Sequence, residues 1–382
     1  CRYLVGSLIG GMVEWCRHRR VFDGHHGGMS ARRTLRHLRG GAVVGALVLA
    51  ACSSPTAESE GPASEPAPSS TELFEIDEGD PLPFPGYDVD RVTIAPLPPR
   101  PGATEEPVLT GWAAFDASLE RAVLGGGSDA VSVAVSIGGE IVHEAAMGAR
   151  VPDTLEAAET TDKFRIASIS KTITAITALQ LVEEGAVGLD DPIGSIVADA
   201  VGVGSPSARV AGLTLRQLLT HTSGFPQYEN LFFRNQVGSC EEAAAVGLTR
   251  SLQGAGYRYS NMNYCVLGLV IEQLTGQGYE QVVYDRLLTP LGISGMRLAP
   301  TQDPGPGEAV HRSVPDRNYM EVLGAAGAWV ASPADLVAIL DSLDPDTPGW
   351  KPLDADTVAE MKTAVNDPLA PDRGYGMGVI LY

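Results

Sequence analysis

Ser168-Ile169-Ser170-Lys171 sets a hydroxyl and an amine three residues apart at the head of an apolar stretch. On a helix, positions i and i+3 share a face about 5–6 Å apart at Cβ, so the Lys171 amine can reach the Ser168 hydroxyl. Serine is a weak nucleophile until a nearby base takes its proton, and a lysine can be that base when burial lowers its pKa. The helix N-terminus adds partial positive charge, which favours an alkoxide and any oxyanion forming there. A capping serine followed by a surface lysine has the same spelling. Here the lysine falls inside an apolar helix, where an unpaired ammonium is costly, and that favours chemistry.

Tyr259-Ser260-Asn261 is the second candidate. Ser-x-Asn before a helix is what capping looks like. Yet the tyrosine hydroxyl can relay a proton beside a cation, and the asparagine amide can meet a substrate carbonyl.

These residues need a frame. Trp112 to Leu124 carries apolar residues at helical spacing, and Ala130–Ile137 and Glu140–Met147 read as strands joined by Gly138-Gly139, a two-residue hairpin turn. Ile173, Ile176, Leu179 and Val182, with Ala175 and Ala178, leave the Ser168 helix little polar face before Gly185, so it is buried. Thr214 is the expected N-cap of a short helix to Thr220. Further helices are expected at Asn263–Thr275, Tyr279–Leu288, Pro333–Leu343 and Asp354–Ala364.

Four ordered blocks resemble the serine β-lactamase and penicillin-binding superfamily, on the branch of class C β-lactamases, D-alanyl-D-alanine carboxypeptidases and esterases. They are Phe164–Lys171, Leu215–Gly224 (LRQLLTHTSG), Tyr259–Gly268 (YSNMNYCVLG) and Ala325–Leu336. The resemblance implies an α/β (α+β) fold: an antiparallel sheet flanked by helices, with an inserted helical region from about 190 to 320 and the pocket between that region and the sheet. It implies Ser168 as the acylated nucleophile, Lys171 as its proton acceptor, Tyr259 as the proton-shuttling hydroxyl and Asn261 as a contact to the substrate amide. The Ser168 N–H would form half of an oxyanion hole. The expected reaction is acyl transfer to water, on D-Ala-D-Ala peptides, β-lactams or small esters; the alternative is a catalytically silent envelope receptor of the same fold.

The superfamily's third motif, Lys-Thr-Gly or His-x-Gly on a strand, has no counterpart here. Lys362-Thr363-Ala364 lacks the glycine and ends a helix, and His221-Thr222-Ser223-Gly224 reads as a structural turn. Tyr375–Tyr382 resembles the strand that precedes the motif, so the last strands are expected beyond residue 382.

Eight arginines face two acids in residues 1–52, leaving 19 basic against 45 acidic side chains in the rest. Such an acidic body repels phosphate backbones, so nucleic acid is excluded as a partner. No C-x-x-C, P-loop or second histidine at metal-ligand spacing from His143 is present, so no metal or cofactor is expected. A monomer is expected.

Residues 1–28 show no sustained period and read as an untranslated upstream segment. Residues 29–51 read as a signal peptide: Arg32, Arg33, Arg36 and Arg39 precede an uncharged run from Gly40 to Ala51, too short to span a bilayer, which needs about 20 residues. Leu49-Ala50-Ala51-Cys52 resembles a bacterial lipobox, with Cys52 as the lipidated residue. Residues 52–106, rich in Pro, Ser, Glu and Gly, read as a disordered tether, and residues 107–382 as the folded domain. The expected address is the cell envelope, on the outer face of the cytoplasmic membrane or in the periplasm, with the membrane met only through the lipid. Cys240 and Cys265 remain as one pair, and export favours a disulfide between them over two buried thiols.

Overall fold

The computed structural model describes residues 45–53, 111–367 and 370–381. Residues 1–28, and most of the segments read as signal peptide and tether, lie outside the described residues. The central sheet is antiparallel throughout, in the order β1 (Gly45–Ser53), β2 (Ser128–Ile137), β3 (Glu140–Val151) and β4 (Glu156–Ala157). The hairpin turn falls at Gly138-Gly139, with φ of 62° and 86°, the left-handed geometry that glycine takes without strain.

Both faces of β2 are covered, and its alternation sorts them. Val131, Val133 and Val135 face Leu119 and Phe115 of α1 (Gly111–Val123), joined by Ala145 and Met147 of β3. On the other face Ala134 enters the main core, and the Ser136 hydroxyl donates 2.6 Å to Asp341 of the helix Pro333–Ser342. That helix starts with Ser332 and Asp335 in a reciprocal capping box and Pro333 in its first turn.

Gly45–Ser53, from the run read as a signal peptide's apolar core and the first residues of the tether, lies as a strand beside β2, with Cys52 opposite Ala130. The physical reason is local. Without this strand β2 would present an unpaired edge of backbone N–H and C=O groups, and a Val- and Leu-containing run free of charge has high β propensity.

The second layer is helical. The buried helix α2 (Ser170–Glu183) packs against α3 (Asn261–Thr275), and short helices at Gly194–Ala200, Ala208–Ala211, Leu215–Leu219, Glu229–Phe233 and Cys240–Leu248 surround them in one continuous core. Thr214 caps Leu215–Leu219 through a capping box with Gln217, and Gly276 ends α3 in the left-handed conformation. Tyr279–Leu288 divides into a helix at Tyr279–Val283 and a π turn at Tyr284–Leu288. Among the described residues no helix is long and apolar enough to cross a membrane.

A small sheet links the layers. Phe164–Arg165 pairs with Trp329–Ala331, which also pairs with Arg297–Leu298. A second three-stranded sheet runs Ile380–Leu381, Ala370–Tyr375, Val365–Asp367. Lys362 caps the helix Ala355–Met361, so Lys362-Thr363-Ala364 ends a helix as its spelling suggested. Cys240 and Cys265 form a disulfide that joins the start of Cys240–Leu248 to the second turn of α3.

Candidate active site

Ser168 stands one turn ahead of the α-helix rather than within it. It is the middle residue of a single 3-10 turn, Ala167–Ile169, and α2 begins at Ser170. Ala167 has φ of 46°, a left-handed conformation that costs an alanine energy and marks the sharp entry from strand to helix. Backbone bonds hold this entry: Ile166 N–H donates to Trp329 O at 3.1 Å, and Trp329 N–H donates to Ser170 Oγ at 3.3 Å. The Arg165 guanidinium ties the strand to the 300–319 segment, donating to Thr301 O at 2.5 Å, to Ser313 Oγ at 2.9 Å and to the Tyr319 hydroxyl.

Lys171, at the second position of α2, is 1% exposed. Its Nζ lies 3.2 Å from Ser168 Oγ, 2.8 Å from Asn261 Oδ1 and 2.7 Å from Ala326 O. The faces of Tyr259 and Tyr264 stand 4.9 and 5.7 Å from the same nitrogen. Burial lowers the Lys171 pKa below the usual 10.5, against an opposing pull from Tyr259. This geometry also orients a neutral amine. With two hydrogens committed to Asn261 Oδ1 and Ala326 O, the lone pair is left toward Ser168 Oγ.

The Tyr259 hydroxyl meets Ser168 Oγ at 2.5 Å. Ser168, Lys171, Tyr259 and Asn261, expected together from sequence, are therefore one hydrogen-bonded cluster. The capping reading and the contacts to the serine and lysine fall on different residues of Tyr259-Ser260-Asn261. Ser260 is the N-cap of α3, accepting from Met262 N–H at 3.3 Å, and its neighbours on either side turn to Ser168 and Lys171. Asn261 begins the helix, two residues earlier than expected, and its Oδ1 serves Lys171, a role the sequence did not reveal.

Three further groups escaped the sequence reading. The carbonyls of Ala325 and Ala326 are gripped by neighbouring positions of one helix face, Thr174 Oγ1 at 2.7 Å and Lys171 Nζ at 2.7 Å. The turn after Tyr375 seats on α2, where Thr172 Oγ1 donates 2.7 Å to Gly378 O. Gly378 has φ of 78°, and a Cβ there would stand 2.7 Å from Ala175 Cβ and 2.9 Å from the Lys171 carbonyl, so the close approach needs glycine. The third is His221, expected only as part of a turn. It does form one, with φ of 57°, but its side chain is also fully buried and its ring lies 4.5 Å from that of Tyr259. The Thr-His-Thr spelling after a helix, with histidine where glycine or asparagine usually stops it, was the available signal.

A family model described as Beta-lactamase matches residues 115–382. Among curated proteins, Penicillin-binding protein 4* of Bacillus subtilis (strain 168) is 27% identical over 176 residues, 44% of this chain and 37% of its own length. Protein flp of Staphylococcus aureus (strain MW2) is 29% identical over 182 residues, 46% of this chain and 36% of its own. The chain thus spans well under half the length of these relatives. Among solved structures, the octameric penicillin-binding protein homologue from Pyrococcus abyssi aligns with a TM-score of 0.58 at 23% identity, over 70% of this chain and 64% of that one, a likeness of fold. The D-amino acid amidase from Ochrobactrum anthropi SV3, in complex with D-phenylalanine, aligns at 0.55 and 25% identity, over 69% of this chain and 79% of that one. With the mixed helix and antiparallel-sheet fold and the Ser168, Lys171 and Tyr259 cluster, these matches establish that the chain belongs to the β-lactamase family, within the serine β-lactamase and penicillin-binding superfamily.

Proposed function

We propose that the protein is an exported, lipid-anchored serine hydrolase that works through a Ser168 acyl-enzyme. The observation that carries this reading is the Lys171 environment: a buried amine with lowered pKa, 3.2 Å from a serine hydroxyl that also meets a tyrosine at 2.5 Å. Lys171 Nζ accepts the Ser168 proton as Oγ bonds to the substrate's carbonyl carbon. The Tyr259 hydroxyl then gives a proton to the departing nitrogen or oxygen and is resupplied from the Lys171 ammonium. Water attacks the ester, gives its proton to the same pair, and Ser168 leaves with one. The Asn261 amide nitrogen is available to a substrate carbonyl while its oxygen holds Lys171.

The substrates proposed are D-Ala-D-Ala peptides, β-lactams and small esters, and the D-amino acid amidase similarity supports an acyl group of D configuration. Lipidation at Cys52 and placement at the outer face of the cytoplasmic membrane or in the periplasm are supported by the Leu49-Ala50-Ala51-Cys52 spelling and the basic residues before it. The test is turnover by the full chain of a chromogenic ester, a chromogenic cephalosporin and paired D- and L-phenylalanine amides, with Ser168→Ala as control. Serine-dependent turnover with the D amide preferred supports the reading. Turnover that survives Ser168→Ala, or none with any substrate, removes it.

A further inference from the structure

His221 holds Tyr259 from three sides. Its backbone carbonyl accepts from Arg258 N–H at 2.8 Å, and its Nδ1 accepts from Ser260 N–H at 3.3 Å, so the residues on both sides of Tyr259 are bonded to one histidine. Between those bonds the two rings meet, centroids 4.5 Å apart and tilted 42°. The left-handed φ of 57° turns the carbonyl and the ring toward the same chain segment. Strain of that kind in a β-carbon-bearing residue persists only where the surroundings enforce it.

The imidazole's protonation state follows from its partners. Ser260 N–H can only donate, so Nδ1 accepts; the Asn263 atom 2.8 Å from Nδ1 is then the donating Nδ2, and Asn263 Oδ1 accepts from Ser223 Oγ at 2.6 Å. With two donors aimed at it, Nδ1 carries no hydrogen, and the single ring proton sits on Nε2. Nε2 has no hydrogen-bond partner among the described residues. Around the ring stand Tyr259, Tyr264, Tyr375 and Tyr257, at centroid distances of 4.5, 5.2, 4.7 and 6.1 Å. The titratable groups facing it are these four phenols and the Lys171 amine.

We infer that His221 is a positioning residue for the proposed acyl transfer: a permanently neutral imidazole that fixes the Tyr259 hydroxyl against Ser168 Oγ without exchanging a proton itself. This rests on the serine hydrolase reading. A histidine packed on the tyrosine that meets Ser168 invites assignment as a base, but here Nδ1 is committed to Ser260 and Asn263, and Lys171 already faces Oγ. Burial lowers the His221 pKa well below 6.5, consistent with a ring that stays uncharged.

Two variants separate the bonds from the ring. His221→Phe keeps an aromatic face but removes the Nδ1 acceptor; His221→Asn keeps a short acceptor, tolerates the left-handed backbone and removes the ring. In the full chain, the rate of Ser168 acylation by a fluorescent penicillin or fluorophosphonate should fall on the order of 10²-fold in His221→Phe, the scale of loss for a misplaced group. His221→Asn should recover part of it, and both should melt cooperatively. Their pH–rate profiles should keep the parent's shape, because His221 does not titrate in the reaction. Parental acylation rates in a folded His221→Phe, or the loss of one limb of the profile, overturn the proposal. Nitrogen NMR of the His221 ring gives a readout independent of turnover. An unprotonated Nδ1 and protonated Nε2 from about pH 5 to about pH 8 is expected, where an ordinary histidine changes charge; a ring that titrates or carries its proton on Nδ1 overturns it. A parent chain that never labels defeats the hydrolase reading instead, and the NMR result still decides the His221 assignment.

Discussion

The Lys171 amine and the Ala326 carbonyl lie 2.7 Å apart across the junction between the buried helix and the small linking sheet. That bond does two things. It orients the amine, whose remaining contacts are Asn261 Oδ1 and Ser168 Oγ, and it locks the helix to the 324–331 segment beside Thr174 and the Ala325 carbonyl. A backbone carbonyl can only accept, so the Lys171 hydrogen pointing at it is never available to Ser168. In the neutral amine this leaves the lone pair, rather than a hydrogen, toward Ser168 Oγ.

Lys171 and Tyr259 are the two proton-transfer groups of the proposed acylation, and removing either should slow it while the fold survives. Lys171→Ala is expected to slow covalent labelling by about 10²–10⁴-fold, and Tyr259→Phe by a comparable factor, the usual range for a lost proton-transfer group. Stopped-flow labelling with circular dichroism as the folding check measures both. Wild-type rates in either variant would strip that residue of its role.

The buried amine also has a signature in stability. Its folded pKa is lowered while an unfolded lysine keeps the ordinary 10.5, so between those two values the unfolded chain binds the proton and the native chain does not. Native stability therefore rises with pH in that window. Measured by urea unfolding as the pH is raised toward 10.5, the parent should gain stability relative to Lys171→Met, in which the ionisable group is gone. A pH-independent difference would mean that Lys171 titrates alike in both states. The same lowered pKa places the acid limb of the acylation rate below 10.5, with activity growing as the amine loses its proton.

Much of the cluster was legible because the proposed covalent chemistry needs fixed residue types at short spacings. Ser168 and Lys171 share one helical entry, and Tyr259 and Asn261 flank one cap, so local rules suffice for each pair. The meeting of the pairs, across 90 residues between Lys171 and Asn261, came from resemblance to a family rather than from periodicity. His221, Ala326 and Gly378 were not legible in the same way. Each acts through a backbone group or a close approach that only tertiary packing creates. The 3-10 turn at Ser168 was hidden for a different reason: a left-handed alanine at 167 has no sequence mark. The strand at Gly45–Ser53 shows the reverse limit, since an uncharged run rich in Val, Leu and Ala suits an export signal and a sheet edge equally well.

Gly378 gives a packing test away from the reacting atoms. Gly378→Ala must fit a methyl 2.7 Å from Ala175 Cβ and 2.9 Å from Lys171 O at a φ of 78°. A cost of about 1–3 kcal/mol is expected from the strained backbone alone, with slower acylation as α2 is pushed aside. Denaturant unfolding with parallel labelling measures it; unchanged stability would show that the turn sits off the helix.

The Cys240–Cys265 bridge closes a sequence separation of 25 residues and anchors α3 one turn past Asn261. Its loss in Cys240→Ser should cost about 3 kcal/mol on the chain-entropy model. Urea unfolding of the oxidised parent against the variant reads this directly, and equal midpoints would indicate that the bridge contributes nothing to the folded state.

Intact-protein and peptide mass spectrometry after brief exposure to a β-lactam or fluorophosphonate tests the central claim most directly. A single covalent adduct on the peptide bearing Ser168, absent in Ser168→Ala and strongly delayed in Lys171→Ala, is the predicted result. An adduct on another residue, or one that forms equally fast without the Lys171 amine, would contradict a Ser168 nucleophile activated by a buried lysine.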